Sequence, residues 1–426
     1  MGDLTKALGP WRGTAMMLNI VLGAGLLTLP GLAAREAGDG ALAVWLVSAL
    51  VAVPLLVIFG ILGRAYPDAG GLATFLKRAY GDAGYAPATF LFLGAVAFGL
   101  PAIALTGGHY AAAAIGGPPA LYASLLILGA AAANLASSEI AGRINTALAS
   151  VILFVLVAIA ATGWVAVSPD ASVLERAVTG VPSLGIFGAT FMMVFFAFTG
   201  WEVSANLSGE FRNPKRDFPF AMAASFAIAV ALYLVLAFIV AASGPLGASE
   251  APFAAILGSR FGPSGSLLVS AVSVLLIFAN LSAAIWAVSR MVYSGASERL
   301  LPAVLMTLRA GVPLRAVILT TCVLLGVGAA AGAGLVDLGW LLGAAGQNFL
   351  LLYAGAAAAL IKLTARLGYK ALGWFAIALV VGLVLTRGLD QMIYPGLLIG
   401  IGLLVAVFRL FVPSGAMDDR QTQGST

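Results

Sequence analysis

Long apolar stretches, separated by short polar or Gly/Pro-containing breaks, recur along the whole chain. A helix needs roughly 20 mostly apolar residues to cross the hydrocarbon core of a bilayer. Twelve stretches meet this requirement, at residues 12–36, 40–63, 84–115, 119–137, 141–167, 184–208, 219–243, 264–291, 313–332, 336–362, 370–387 and 391–412. The pattern predicts an all-α integral membrane protein with twelve transmembrane helices.

The composition excludes several other classes of protein. Hydrophobic residues make up 62% of the chain and charged residues only 9%, which is too few charges to solvate a soluble body of this size. The only cysteine is Cys322 and the only histidine is His109. An intrachain disulfide is therefore impossible, and we expect no metal site, no cofactor and no nucleic-acid partner.

The distribution of Lys and Arg predicts the orientation, because positive residues are retained on the cytoplasmic side of a membrane. With the N-terminus inside, 18 of the 22 Lys and Arg residues lie inside. The four outside are Arg35, Arg176, Arg260 and Arg387. We therefore expect residues 1–11 and 413–426 to be cytoplasmic segments.

Two of the predicted spans do not have the sequence of a continuous helix. Gly23-Ala24-Gly25 lies midway along the first span, and the sixth contains Thr199, Gly200 and Glu202. Glycine costs about 1 kcal/mol in a helix interior relative to alanine, and unwound backbone at membrane depth must be buried in protein or line a cavity. The glycines could instead serve only close helix packing.

The two interruptions lie five spans apart. Since five is odd, a second copy of a five-span unit must enter the membrane with opposite topology, as in inverted-repeat transporters. We therefore predict a first repeat over residues 12–167, a second over 184–362, and two further helices over 370–412.

Glu202 is the one obvious carboxylate expected at the centre of the membrane. A charged group there is costly unless it is paired or functional. Glu202 is therefore a candidate for proton coupling. The structural alternative is a helix N-cap or a hydrogen-bonding clamp to the unwound backbone of the first span.

Three sequence elements resemble those of the amino acid/polyamine/organocation transporters. Residues 23–30 resemble their G-x-G-[IVL]-x-x-x-P element, residues 196–202 their F-x-F-x-G-x-E element, and residues 210–219 the E-x-x-N-P-x-R-x-x-P loop that follows. Within that superfamily, residues 63–71 and Gly99-Leu100-Pro101-Ala102 are similar to the bacterial L-methionine and branched-chain amino acid exporter group.

The resemblance implies a LeuT-like fold in a bacterial inner membrane, with a five-plus-five inverted repeat whose first, second, sixth and seventh spans rock against the others. The exposed amides of Gly23, Ala24, Gly25 and Leu26 would receive the substrate carboxylate at the positive end of a half-helix. Carbonyls around Ile20, Val21, Phe196 and Phe198 would accept from its ammonium group. Phe196 would form an aromatic lid, and Ala197, Phe198, Thr199 and Trp201 would line the uncharged side-chain end of the site.

The chain departs from the resemblance in the fifth span, where family proteins often carry a lysine and this sequence has Ile152. Glu202 is then the leading protonatable residue. A sodium site near Ser282, or transport without ion coupling, stays open. Four further polar residues fall near mid-depth and could either join helices or contact substrate or ion: Asn280, Ser282, Gln347 and Asn348.

The leading functional hypothesis is a secondary carrier that moves neutral L-amino acids such as methionine, leucine, isoleucine and valine outward by alternating access. An uptake permease or exchanger of the same fold is the main alternative. A membrane sensor that binds without turnover is a second, and a membrane enzyme is disfavoured because clustered catalytic side chains are missing. Transport direction, the coupling ion, and the choice between monomer and homodimer stay open.

Overall fold

The computed structural model describes residues 8–22, 24–66, 71–136, 138–168, 172–180, 182–204, 211–309, 311–387 and 389–411. These residues form α-helices joined by turns and short 3₁₀ segments, and they contain no β-strand. The prediction of an all-α protein is confirmed.

The helices of the first half are α1 (Pro10–Val21), α2 (Leu29–Ala37), α3 (Ala41–Ala65), α4 (Gly71–Tyr80), α5 (Asp82–Ile115), α6 (Pro119–Ala136), α7 (Ser138–Val167) and α8 (Ser172–Thr179). Those of the second half are α9 (Leu184–Phe195), α10 (Trp201–Ser204), α11 (Pro214–Ala242), α12 (Pro252–Ser297), α13 (Leu314–Gly332), α14 (Leu338–Leu363), α15 (Leu367–Leu385) and α16 (Ile393–Phe411).

Several of these helices have the length and composition of membrane spans. Within the described ranges, seven helical segments are long and apolar enough to cross a bilayer, and four shorter apolar helices accompany them. Large apolar side chains such as Leu50, Phe154 and Leu404 are exposed on the outer surface, where lipid would cover them. The chain is a multi-pass membrane protein. The twelve crossings and their inverted repeat remain predictions, with which the helix bounds agree.

Three elements differ from the predicted spans. Helices α4 and α8 were not predicted, because their ten and eight residues are too short and too charged for a span. Helix α12 begins at Pro252, well before the predicted start at 264, because Gly262 with φ of 69° turns the chain between a short first helix and the main one that begins at Pro263.

Helix α5 lies at the centre of the packing and is bounded by Gly81 and Gly116, both with positive φ. It contacts α6, α12, α14 and α16. Helix α15, by contrast, is largely peripheral. In its apolar 18-residue stretch only 22% is buried, against 72% in that of α5. The first interrupted span contacts α5, α11 and α12, and the sixth contacts α3 and α14.

Candidate functional site

The first span is interrupted between α1 and α2. Helix α1 ends at Val21, Leu22 leaves the helical region with ψ of 77°, and a 3₁₀ turn over Ala24–Leu27 precedes α2. Amides at the start of a 3₁₀ turn have no partner within the turn. Gly25 and Leu26 lie at the start of this turn, and we expect their amides to be the donors to a ligand.

The sixth span is interrupted between α9 and α10. Helix α9 ends at Phe195, a 3₁₀ turn covers Phe196–Phe198, and Thr199 is extended. Gly200 follows with φ of 105° before α10 starts. A side chain would strain the backbone at that φ, so glycine is required where the helix comes apart.

The two interrupted segments contact each other, and the ring of Phe196 lies between the first span and α5. A Cβ atom added at Gly25 would lie 3.4 Å from Cε1 of Phe196. One added at Gly99 of α5 would lie 2.8 Å from Cε2 of the same ring. The ring therefore covers the break in the first span, and Gly99 leaves the space that it fills.

The carboxylate of Glu202 is buried and holds the second break in place. Its Oε2 accepts a hydrogen bond from the amide of Gly200 at 2.9 Å and another from the hydroxyl of Tyr353 on α14. Among the described contacts, its partners thus belong to its own span and to α14. The predicted clamp to the first span is not among them.

Two further buried tyrosines bind the broken backbone of the first span. The hydroxyl of Tyr110 on α5 donates to the carbonyl oxygen of Leu27 at 2.8 Å, and that of Tyr233 on α11 donates to Val21 at 3.2 Å. These residues were missed in the sequence. The available signal was the residue type, since a buried tyrosine hydroxyl needs a partner.

Two of the carbonyls expected to be free are already engaged. Val21 accepts from Tyr233, and the Phe196 carbonyl accepts from the hydroxyl of Thr199 at 2.8 Å. The expectation of free carbonyls at these two positions is wrong for this conformation, because the protein supplies its own hydroxyls to unwound backbone. A carbonyl oxygen has two lone pairs, so that of Val21 retains one further acceptor position, whereas that of Phe196 also accepts from the amide of Thr199 at 3.3 Å and retains none.

The other residues of the sixth-span motif form an uncharged, buried wall. Phe198 packs edge-on against Tyr233 with ring centroids 5.3 Å apart, and Trp201 packs against Phe226 at 5.7 Å. Ala197 is also buried. None of these side chains can compensate a charged substrate side chain.

The polar residues of α12 and α14 make contacts that join helices. The side-chain amide of Asn134 on α6 donates to the Ser282 carbonyl at 2.9 Å, and that of Gln347 donates to the Gln391 carbonyl at 3.1 Å. Asn348 is fully buried on the side of α14 that faces Gly94 of α5. The bonds at Ser282 and Gln347 favour interhelical bonding over substrate contact, whereas the side-chain amides of Asn280 and Asn348 have no described hydrogen bond.

Some of the predicted site residues lie outside the described residues: Gly23, and the side chains of Ile20, Ala24 and Ile152. In the part of the chain that is described, no three His, Cys, Asp or Glu side chains are grouped so as to hold a metal ion.

Comparison with known families points to the transporter family that the sequences of the two contacting breaks resemble. The family profile described as "Amino acid permease" matches residues 8–425. The chain belongs to the amino acid permease family. This confirms the resemblance on which the site residues were assigned.

Three relatives illustrate the range of this family. The chain is 29% identical to an uncharacterized amino acid permease, YecA, of Bacillus subtilis over 88% of each chain. It is 30% identical to the L-methionine/branched-chain amino acid exporter YjeH of Escherichia coli, over 70% of this chain and 72% of the relative. It is 24% identical to the serine/threonine exchanger SteT of Bacillus subtilis over 70% of each.

Proposed function

We propose that this chain is a secondary carrier that exports small neutral, hydrophobic L-amino acids by alternating access. The substrates would be methionine, leucine, isoleucine and valine. The observation that carries the proposal is the contact between the two interrupted segments, where Gly25 and Leu26 at the start of a 3₁₀ turn lie beside an uncharged wall.

This arrangement suits a zwitterion. The substrate carboxylate would bind the first-span amides at the start of a helical segment, where the helix dipole favours negative charge. The ammonium group would donate to the carbonyls of Ile20 and Phe198 and to the remaining lone pair of the Val21 carbonyl. No charged side chain is then needed for recognition of the amino acid backbone.

The uncharged wall supports the neutral side-chain specificity. Glu202 already accepts hydrogen bonds from Gly200 and Tyr353, so it offers little to a cationic substrate. A Lys or Arg substrate would lose its hydration without compensation. The similarity to the methionine and branched-chain exporter favours the same substrates and the outward direction.

Glu202 is proposed as the residue that couples transport to protons, with sodium less favoured. Its carboxylate joins α10 to α14 through Tyr353, so a change in its charge would change the link between the sixth and tenth spans. A proton can bias a conformational equilibrium only through unequal affinity for the two states. If this hydrogen bond opens during transport, the proton affinity of Glu202 differs between the two states.

The main alternative is an uptake permease or exchanger with the same site, which the similarity to a serine/threonine exchanger favours. A sensor that binds without transport is a further alternative. We place the protein in a bacterial inner membrane with both termini cytoplasmic, as a monomer or homodimer.

Counterflow in proteoliposomes tests the proposal. Vesicles preloaded with unlabelled methionine should accumulate labelled methionine, and external leucine, isoleucine or valine should compete. Repeating the assay with and without a pH gradient tests proton coupling. If lysine or arginine competed better than leucine, the neutral-substrate proposal would be wrong, and binding without counterflow would favour the sensor.

A further inference from the structure

A cavity of about 640 Å³ lies apart from the broken helices, at the predicted cytoplasmic ends of α3 and α14 and the starts of α11 and α15. Its size is within the range of roughly 300–1,000 Å³ typical of ligand pockets. None of the residues assigned to the proposed transport site lines this cavity.

Three cationic side chains line the cavity: Arg64, Lys215 and Arg366. No described carboxylate lies within ion-pairing distance of any of them, and no acidic residue is among the cavity's lining residues. The guanidinium group of Arg366 lies over the ring of Tyr369 at 5.5 Å from its centroid, which holds it at the rim. The cavity thus carries a concentrated positive charge with no described counter-charge.

The charge of the cavity comes from these side chains and not from helix dipoles. Two helices begin at the cavity, α11 and α15, and two end there, α3 and α14. Positive and negative helix ends therefore largely offset each other. The three cationic side chains belong to three different helix ends, and together they select an anionic ligand.

The remaining lining of the cavity is mostly apolar. Leu56, Val57 and Ile61 of α3 face Met222 of α11 and Leu363 of α14 across it. Val57 is 44% exposed, so the apolar part opens to the lipid-facing surface of α3. A small hydrophilic anion would fit the three cations but would leave these walls bare.

Close packing of α3 against α11 fixes the positions of two of the cations. A Cβ atom at Gly63 would lie 2.6 Å from Cε1 of Phe218, so the missing side chain at Gly63 lets α11 approach. Arg64 follows Gly63 directly, and Lys215 lies one turn before Phe218 on α11. The two cations are therefore held together by the backbone packing beneath them.

We propose that this cavity binds one anionic phospholipid of the cytoplasmic leaflet. Its phosphodiester would contact Arg64, Lys215 and Arg366, and an acyl chain would lie along the apolar walls of α3, α11 and α14. Basic pockets between membrane helices on the cytoplasmic side suit anionic head groups, and the predicted orientation places the cations at that leaflet.

The bound lipid would also influence the conformational equilibrium of the protein. It would join α3 and α11, the predicted second and seventh spans, to α14 and α15, the predicted tenth and eleventh. The resemblance implies that the first pair moves relative to the second. A lipid that binds one arrangement more tightly shifts the population toward it.

The test measures lipid binding directly. The purified protein is reconstituted in phosphatidylcholine nanodiscs containing a small fraction of labelled phosphatidylglycerol, and bound phosphatidylglycerol is titrated. The triple variant Arg64→Gln, Lys215→Gln, Arg366→Gln should bind it about tenfold more weakly or worse, since each surface cation contributes on the order of 1 kcal/mol to attraction of anionic lipid.

A matched control variant removes three cytoplasmic cations that do not line the cavity: Arg12→Gln, Arg216→Gln, Arg309→Gln. It makes the same change in net charge and should bind phosphatidylglycerol within about twofold of the unmodified protein. Equal losses in the two triple variants would overturn the proposal, because the attraction would then be diffuse. The absence of any loss in the cavity variant would overturn it as well.

A second variant keeps every charge. A Cβ atom at Gly60 meets only Met222 Sδ, at 4.0 Å, so Gly60→Leu fits the fold and fills part of the cavity. It should weaken phosphatidylglycerol binding while inorganic phosphate and glycerol phosphate compete poorly in all proteins. Efficient displacement of the lipid by glycerol phosphate, or unchanged lipid binding in Gly60→Leu, would show that no acyl chain occupies the cavity and would contradict a lipid site.

Discussion

The hydrogen bond between Tyr353 and Glu202 should be the strongest single side-chain link across the second break. Tyr353 is 2% exposed and Glu202 5% exposed, and the bond joins α14 to α10. A hydrogen bond to a charged group contributes about 1.5–3 kcal/mol. We therefore expect Tyr353→Phe to lower the free energy of unfolding by about 2 kcal/mol.

The substitution isolates the hydroxyl because the ring keeps its neighbours. The Tyr353 ring packs edge-on against Phe59 at 4.8 Å and Phe195 at 5.9 Å between centroids, and phenylalanine retains both contacts. Glu202→Gln should lower the free energy of unfolding by a similar amount, because it removes the charge and places an amide group near the donors. The double variant should lose less than the sum of the two single losses, with a coupling energy of about 1–2 kcal/mol.

The assay is denaturant unfolding in mixed micelles, followed by tryptophan fluorescence, for the four members of the double-mutant cycle. Tyr122→Phe is the matched control: its hydroxyl donates to the Gly116 carbonyl at 2.7 Å near the surface, and its loss should cost about 0.5 kcal/mol. If the two effects at the break add to within about 0.5 kcal/mol, the bond does not form in the membrane protein and the reasoning fails.

Three further predictions concern binding, coupling and the outer surface. Gly25→Val should abolish substrate binding and leave a monodisperse protein, because a Cβ there already lies 3.4 Å from the facing aromatic ring; Gly326→Val, where nothing lies within 4 Å, is the control, and unchanged affinity in Gly25→Val would refute the site. Glu202→Gln should keep substrate binding but flatten the pH dependence of transport in proteoliposomes, whereas a normal pH profile would leave Glu202 a structural clamp. Burial raises the pKa of Glu250, but its backbone hydrogen bond and the Arg35 guanidinium outweigh burial and lower it below its ordinary value of 4.5. The ion pair of these two residues should therefore stabilise the loop around Glu250 above pH 4.5 and lose that effect as the pH falls below it. The hydrogen-exchange protection factors of residues 244–252, measured relative to the intrinsic exchange rate at each pH, should fall at low pH, and Glu250→Gln should show the low protection at every pH.

The helices themselves could largely be predicted from the sequence. The bilayer requires long apolar segments with internally bonded backbone, and such segments are visible locally. Helices α4 and α8 were missed because their amphipathic sequences are short, and the early start of α12 was missed because a glycine with positive φ cannot be distinguished from a packing glycine in the sequence.

The positions of the two breaks were also accessible to sequence reasoning, since glycine runs at mid-span mark where a helix can unwind at low cost. The partners of the unwound backbone were not. Tyr110 and Leu27 are 83 residues apart in the chain, Glu202 and Tyr353 are 151 apart, and Val21 and Tyr233 are 212 apart.

The sequence by itself therefore determined the class of the fold, most of the helices and the two places where the chain leaves the helix. Tertiary structure alone decided which groups satisfy those places, which carbonyls are engaged, and that Arg64, Lys215 and Arg366 share one cavity. The physical reason is range: helix formation and interruption depend on neighbours within a few residues, whereas burial of a polar backbone group is compensated by whichever side chain the packing brings within hydrogen-bonding distance.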